Sequence, residues 1–124
     1  MIDFNNSAFV KMKQIDPKKI SDSVAPLLID GERIIGAYKA MRDFVVFTDK
    51  RVIAVNVQGV TGKKTDYTSL PYSKVTAYSV ETAGVIDLDS ELQLYFSGLG
   101  QVSFDFSGES DIVEIGRAIS EFIL

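Results

Sequence analysis

Residues Phe44 to Val57, FVVFTDKRVIAVNV, constrain the fold of this chain more than any other stretch. Two apolar, β-branched runs are separated by the polar break TDKR, the pattern of a β-hairpin at the centre of a sheet. Neither Phe44-Val45-Val46-Phe47 nor Val52-Ile53-Ala54-Val55 alternates with polar residues, so both strands should be covered on two faces or bury one face and a neighbouring loop. Within the break, Thr48 and Asp49 can return a side-chain oxygen to a turn N–H. Arg51 is placed to pair with Asp49 or to reach across the strands. The break lacks the Asn-Gly or Asp-Gly of a two-residue type I′ loop, so a slightly longer connection built on a type I turn is expected. The Asp-Lys-Arg tip reads as turn chemistry rather than as a recognition point.

A hairpin of this kind needs a domain around it, and 124 residues suffice for one domain with a core that needs no staples. Hydrophobic residues make up 46% and charged residues 24%, a globular balance. The net charge of −4 and a pI near 4.7 argue against a nucleic-acid partner, which demands a concentrated basic surface. Cysteine is absent, which removes disulfide and thiolate chemistry and fits a reducing compartment. The first residues, MIDFNNSAFVKMK, lack the apolar core of a signal peptide, and no run approaches the ~18–20 apolar residues of a spanning helix. A soluble cytoplasmic domain is the expectation.

Residues 1–30 read as an N-terminal arm and short helix packed on a domain formed by residues 31–124. In the arm, Phe4, Phe9, Val10, Met12 and Ile15 follow no clean period, and packing on its own domain or on a neighbouring subunit is expected. Lys11 and Lys13 are too few to hold a membrane surface, at about 1 kcal/mol each. Asp16 is a good N-cap with Pro17 at the first helical position, and Ile20, Val24, Leu27 and Leu28 share one helical face. Pro26 limits that helix to about Pro17–Val24, and an irregular apolar turn should follow to Asp30-Gly31.

From Glu32 the pattern becomes strand, through to Met41, with Arg42-Asp43 turning into the central hairpin. After Val57 comes the glycine-punctuated loop Gln58 to Lys64. Thr65 to Pro71 reads as a strand with Tyr67 and Leu70 inward, and Val75 to Val80 as another. Gly84 to Ser90, GVIDLDS, is a loop or short edge. Leu92, Leu94 and Phe96 share one strand face, as do Val102, Phe104 and Phe106. The end is a helix with Ser110 or Asp111 as cap and Asp111–Glu114 as a capping box. Its apolar stripe is Ile112, Ile115, Ile119, Phe122 and Ile123, with Glu114, Arg117, Ser120 and Glu121 facing water. The whole predicts a mainly β antiparallel barrel or sandwich of about seven strands, capped by a C-terminal α-helix and preceded by a short helical extension.

Reactive constellations are scarce. Histidine is absent, and with it the commonest general base and transition-metal ligand. Gly59 to Lys64 superficially resembles a phosphate loop, but two residues separate its glycines where four are needed, and a strand should follow it. Asp87, Asp89 and Glu91 alternate like the opening of a calcium loop. Leu92 stands where that loop needs glycine and Gly98 where it needs the bidentate glutamate, so acidic turn residues are the better reading. No metal, cofactor or catalytic residue is assigned, and an enzyme is not expected.

The order of elements resembles the pleckstrin-homology (PH) architecture. The wording is similar to the bacterial PH-domain family: Gly31-Glu32 before the first strand, then Arg42-Asp43, FTDKRVI, QGVTGKK, LPYSKV (Leu70 to Val75) and DLDSEL (Asp87 to Leu92). It covers roughly Gly31 to Leu124. The resemblance implies a PH-like barrel in a cytoplasmic bacterial protein without enzyme activity, in a family whose members tend to form homo-oligomers, often rings. Eukaryotic relatives that bind inositol phosphates cluster Lys and Arg around the first inter-strand loop. The corresponding segment here offers Lys39 and Arg42 and then Asp43, a departure from that pattern.

Two functions follow as expectations. The first is a non-enzymatic interaction or scaffolding module that self-associates into a homo-oligomer, because an open-edged β fold must be covered or blunted. The second is a peripheral module for anionic lipid head groups or other anions, using Lys39, Arg42, Lys63 and Lys64.

Overall fold

The computed structural model describes residues 1–4, 9–86, 88–108 and 112–124. Five strands form one antiparallel sheet in chain order: β1 (Lys13–Gln14), β2 (Ile34–Ala40), β3 (Asp43–Thr48), β4 (Arg51–Gln58) and β5 (Lys64–Pro71). Three more form a second: β6 (Val75–Glu81), β7 (Ser90–Phe96) and β8 (Gly100–Phe106). The helices are α1 (Ser21–Val24) and α2 (Ile112–Ile123). Seven strands of six residues or more therefore carry the fold, and the two-residue β1 is an addition from the arm.

The central hairpin is where its apolar runs put it. Phe47 pairs with Val52, leaving Thr48 to Arg51 as the connection, and Asp49 and Lys50 keep negative φ, so the turn is not type I′. The N–H groups of Lys50 and Arg51 each donate to Thr48 Oγ1 at 3.0 Å. Asp49 does not pair with Arg51. It accepts the N–H of Arg33 at 3.1 Å, while Arg51 turns outward onto Glu32.

Both faces of the hairpin are buried. Val45, Phe47, Val52 and Ala54 face the second sheet, in one core with Tyr38, Leu92, Leu94, Phe104 and Phe106. Phe44, Val46, Ile53 and Val55 face the other way, beneath Val24, Ile20 and Leu28 of the flap formed by residues 16–30. Each such side chain returns about 1.5–3 kcal/mol on burial, so uncovering this face would strip much of the domain's margin. The flap is less regular than its spacing predicts. Asp16 Oδ1 caps Lys18 N at 3.0 Å, but Pro17–Lys19 is a 3₁₀ turn, α1 is a single turn, and Ala25–Leu27 is 3₁₀ again.

In β5 the inward residues are Thr68 and Leu70, whereas Tyr67 is exposed and bonds Ser23 Oγ at 3.0 Å. The expected inward Tyr67 fails on parity, because residues three apart in a strand point to opposite faces.

The arm seals one seam of the barrel. Met12 N donates to Asp105 O (3.0 Å), Asp105 N to Phe9 O (3.1 Å) and Ser107 N to Met12 O (2.9 Å), so the arm lines the outer edge of β8. Within this stretch Lys11 takes a positive φ of 51°, and after Met12 the chain crosses to the first sheet, where Lys13 pairs with Lys39. Ile2, Phe9 and Met12 belong to the same core as the strands.

Helix α2 stoppers one end. Ile112, Ile115 and Ile119 are buried, and the Phe122 ring meets Tyr72 edge-on at 6.0 Å. Ser120 does not simply face water: it is half-buried and bonds Tyr78 Oη at 2.6 Å. The expected caps Ser110 and Asp111, and the Asp111–Glu114 box, lie outside the described residues.

Candidate functional site

The four candidate cations lie on the first sheet. Arg42, in the β2–β3 turn, donates from Nη1 to Gly59 O at 2.7 Å, which clamps that turn against the loop carrying Lys63 and Lys64. Lys64 pairs with Gln58 across the β4–β5 hairpin. Lys39 is set back on the outer face of β2, opposite Lys13. All four are exposed, and Asp43 joins the same end, accepting Val57 N at 2.9 Å and Asn56 Nδ2 at 3.2 Å. The structure thus brings Arg42 to the glycine loop and keeps Lys39 apart.

The loop itself is a hairpin turn. Gly59 and Gly62 have φ of 78° and 67°, and Gly62 N donates to Gly59 O at 3.2 Å. Strand β5 follows, so the helix N-terminus that gives a phosphate loop its dipole is missing. Each of the two turns carries an apolar tip that sequence reading passed over: Met41 is 96% exposed, with φ of 53°, and Val60 is fully exposed.

The most enclosed polar constellation also escaped the sequence reading, because its members are far apart in the chain. Glu32 is buried and accepts four bonds. Ile29 N lies at 3.1 Å, Thr48 Oγ1 at 2.7 Å, Arg51 Nε at 2.9 Å and Arg51 Nη2 at 3.0 Å. Arg51 also reaches Leu27 O and Ser69 Oγ. Burial pushes the Glu32 carboxyl up, but Arg51, Thr48 and the Ile29 N–H outweigh it and hold it below the ordinary value. Tyr72 lies beneath the same corner, donating to Thr48 O at 2.8 Å, and burial raises its phenol strongly, with Asp49 and Glu32 adding to the effect. Among the described residues no buried side-chain nitrogen or oxygen lacks a partner, and this cluster latches the flap to the hairpin.

On the second sheet Glu81, Glu91 and Asp105 stand in one cross-strand row. Among the described residues no three side chains form a group that could hold a metal. Asp87 of the calcium-loop reading lies outside them. Nor is any described helix long and apolar enough to cross a membrane.

The second seam, between β5 and β6, is different. Both are terminal strands of their sheets, with no strand on the outer side among the described residues. A cleft of 580 Å³ opens there, against Leu70, Pro71, Val75, Phe96 and Leu99, with Lys74 the single charged side chain in its wall. Consecutive residues 68–71 and 73–76 both line it, so strand edge as well as side chain is presented to whatever enters.

Two antiparallel sheets, zipped along one seam by an arm and stoppered by a C-terminal helix, define a protein of the pleckstrin-homology class. The family model for the bacterial PH domain matches residues 3–123, and the chain belongs to that family. It is 45% identical over 103 residues to the uncharacterised protein YjqA of Bacillus subtilis, covering 82% of each. Among crystal structures, it is similar to a DUF1696-family protein with a PH domain from Shewanella loihica. The identity is 37% and the TM-score 0.78, over 93% of this chain and 99% of that one. A PH domain from Shewanella amazonensis is also 37% identical, with a TM-score of 0.65 over 98% and 99%.

Proposed function

We propose that this chain is a non-enzymatic assembly module that associates with copies of itself into a homo-oligomer, a closed ring being one form. The observation that supports this reading is the second seam, where β5 and β6 have no strand on their outer sides among the described residues, beside a largely apolar cleft. An unpaired strand edge beside apolar surface is a template for another chain. The opposite seam, by contrast, is closed by the arm. Among the described residues every buried side-chain nitrogen and oxygen has a partner, which favours a reading through surface contact. Sedimentation velocity across the micromolar range tests this, with a mass above the 13.7 kDa of one chain expected. A mass that stays at one chain throughout would refute it.

A second reading, attachment to anionic membranes, is favoured by the two clamped turns. Their apolar tips, Met41 and Val60, project beside Arg42, Lys63 and Lys64, with Lys39 set back on β2. Vesicles with anionic lipid should retain the protein at low salt and release it as salt rises. Retention on neutral vesicles alone would sink the electrostatic version.

A further inference from the structure

Met41 breaks two local rules at once. Its φ of 53° lies in the left-handed region, which glycine or asparagine enters more cheaply than a long side chain does. Its thioether side chain is also 96% exposed, at a turn tip where a polar residue would be at home. A side chain kept where backbone and solvent both disfavour it points to a use for that side chain. Arg42, the next residue, ties the turn to Gly59 O, which sets the tip beside Val60 and the loop that carries Lys63 and Lys64.

We infer that Met41 is an oxidation switch for attachment to anionic membranes: a hydroperoxide converts its thioether to the sulfoxide, and the attachment weakens. The inference rests on the second reading above and adds its control. Cysteine and tryptophan are absent, so the three methionine thioethers are the side chains on which a hydroperoxide acts most readily. Met12 is fully buried in the core. Met1 is exposed, but its ammonium group is tied to Asp66 and it lines the seam cleft. The thioether at the two tips is that of Met41.

In the step, a lone pair of Met41 Sδ attacks one oxygen of the peroxide. The S–O bond forms as the O–O bond breaks, and the departing hydroxide or alkoxide takes the proton of the transferred oxygen to become water or an alcohol. Sulfur gives up two electrons and the peroxide gains them. A thiol-dependent sulfoxide reductase returns the thioether, so the change is reversible.

Oxidation leaves every charge in place and makes one of the two apolar tips polar. Stable anchoring at a bilayer surface takes two signals, here charge and apolar insertion, and the second is the one weakened. Full burial of a methionine side chain contributes about ten- to a hundredfold in partitioning, which bounds the effect. The salt dependence comes from the cations and should keep its slope. Because Met41 is almost wholly exposed, its sulfoxide is accommodated without disturbing the core.

Vesicle partitioning before and after peroxide tests the switch. Wild type is treated with hydrogen peroxide, the added oxygen is located by peptide mass, and binding to vesicles of mixed neutral and anionic phospholipid is followed over a salt series. Oxidation of Met41 ahead of Met12 is expected, with a loss of about ten- to a hundredfold in partitioning at every salt and an unchanged slope. A methionine sulfoxide reductase should restore the original binding. Met41→Leu separates this thioether from that of Met1, because its partitioning should be the same before and after peroxide. Urea unfolding of the oxidised wild type should keep the midpoint of the untreated protein, which assigns the loss to the tip and not to the fold. If untreated wild type binds, and its Met41 sulfoxide binds equally well or Met41→Leu stays sensitive to peroxide, the switch is wrong while membrane attachment stands. A wild type that the vesicles retain at no salt concentration overturns both.

Discussion

Replacing Arg51 with methionine removes the guanidinium from Glu32 while keeping most of the aliphatic stem. Glu32 loses two of its four bonds and keeps only the Ile29 N–H and the Thr48 hydroxyl. A buried carboxylate stripped of its cation has one escape, which is to take a proton. From its ordinary value of 4.5, protonation at pH 7 costs about 3.4 kcal/mol at about 1.36 kcal/mol per unit. That sets the ceiling for the stranded charge, and the lost bonds to Leu27 and Ser69 add about 1 kcal/mol. A deficit of about 3–4 kcal/mol is therefore expected at pH 7, in line with other broken buried pairs. At pH 5 the protonation ceiling falls to about 0.7 kcal/mol, so the deficit should shrink by about 2–3 kcal/mol. The sign follows from linkage. In the wild type the Glu32 value is depressed, so its contribution is present above the ordinary carboxylate range and is lost as pH falls below it. In Arg51→Met the value is raised, so the folded form gains stability relative to the unfolded one as pH falls toward 5. Urea unfolding at pH 7 and pH 5 measures both, and Glu32→Gln added to Arg51→Met should recover most of the pH 7 deficit. A deficit below 1 kcal/mol at pH 7, or one unchanged at pH 5, would refute the reasoning.

Two further substitutions probe the seals of the barrel. Met12 is fully buried between β8 and β2, so Met12→Ala should cost about 2–5 kcal/mol in urea unfolding, and a surface-like value under 0.5 kcal/mol would mean the arm is dispensable. At Gly116 an added Cβ would stand 2.9 Å from Val80 Cγ2, so Gly116→Ala should lower the melting temperature even though alanine favours helix by about 1 kcal/mol. A rise would show that α2 shifts freely on β6.

Much of the barrel was legible because its strands repeat a simple period. The run Leu92, Leu94, Phe96 and the run Val102, Phe104, Phe106 all point into the core. The unbroken apolar runs of β3 and β4 announced burial on two faces, and the structure supplies both covers. The arm was illegible for the opposite reason. Phe9 and Met12 follow no period because residues 9–12 line β8, interrupted by the left-handed Lys11, and residues 13–14 line β2. The candidate cations were legible as residue types only. That Arg42 clamps the glycine loop, and Lys39 does not, depends on which turns share an end of the sheet.

By itself, then, the order of amino acids determined the kinds of element, their sequence along the chain and the exclusion of thiol and imidazole chemistry. Those are local properties, set by side-chain period and composition. Tertiary structure alone decided that Arg51 serves Glu32 rather than Asp49, that one seam is sealed, and that the other opens as a cleft. These outcomes join residues that only a three-dimensional path brings within hydrogen-bonding distance, and no spacing along the chain encodes such a path directly.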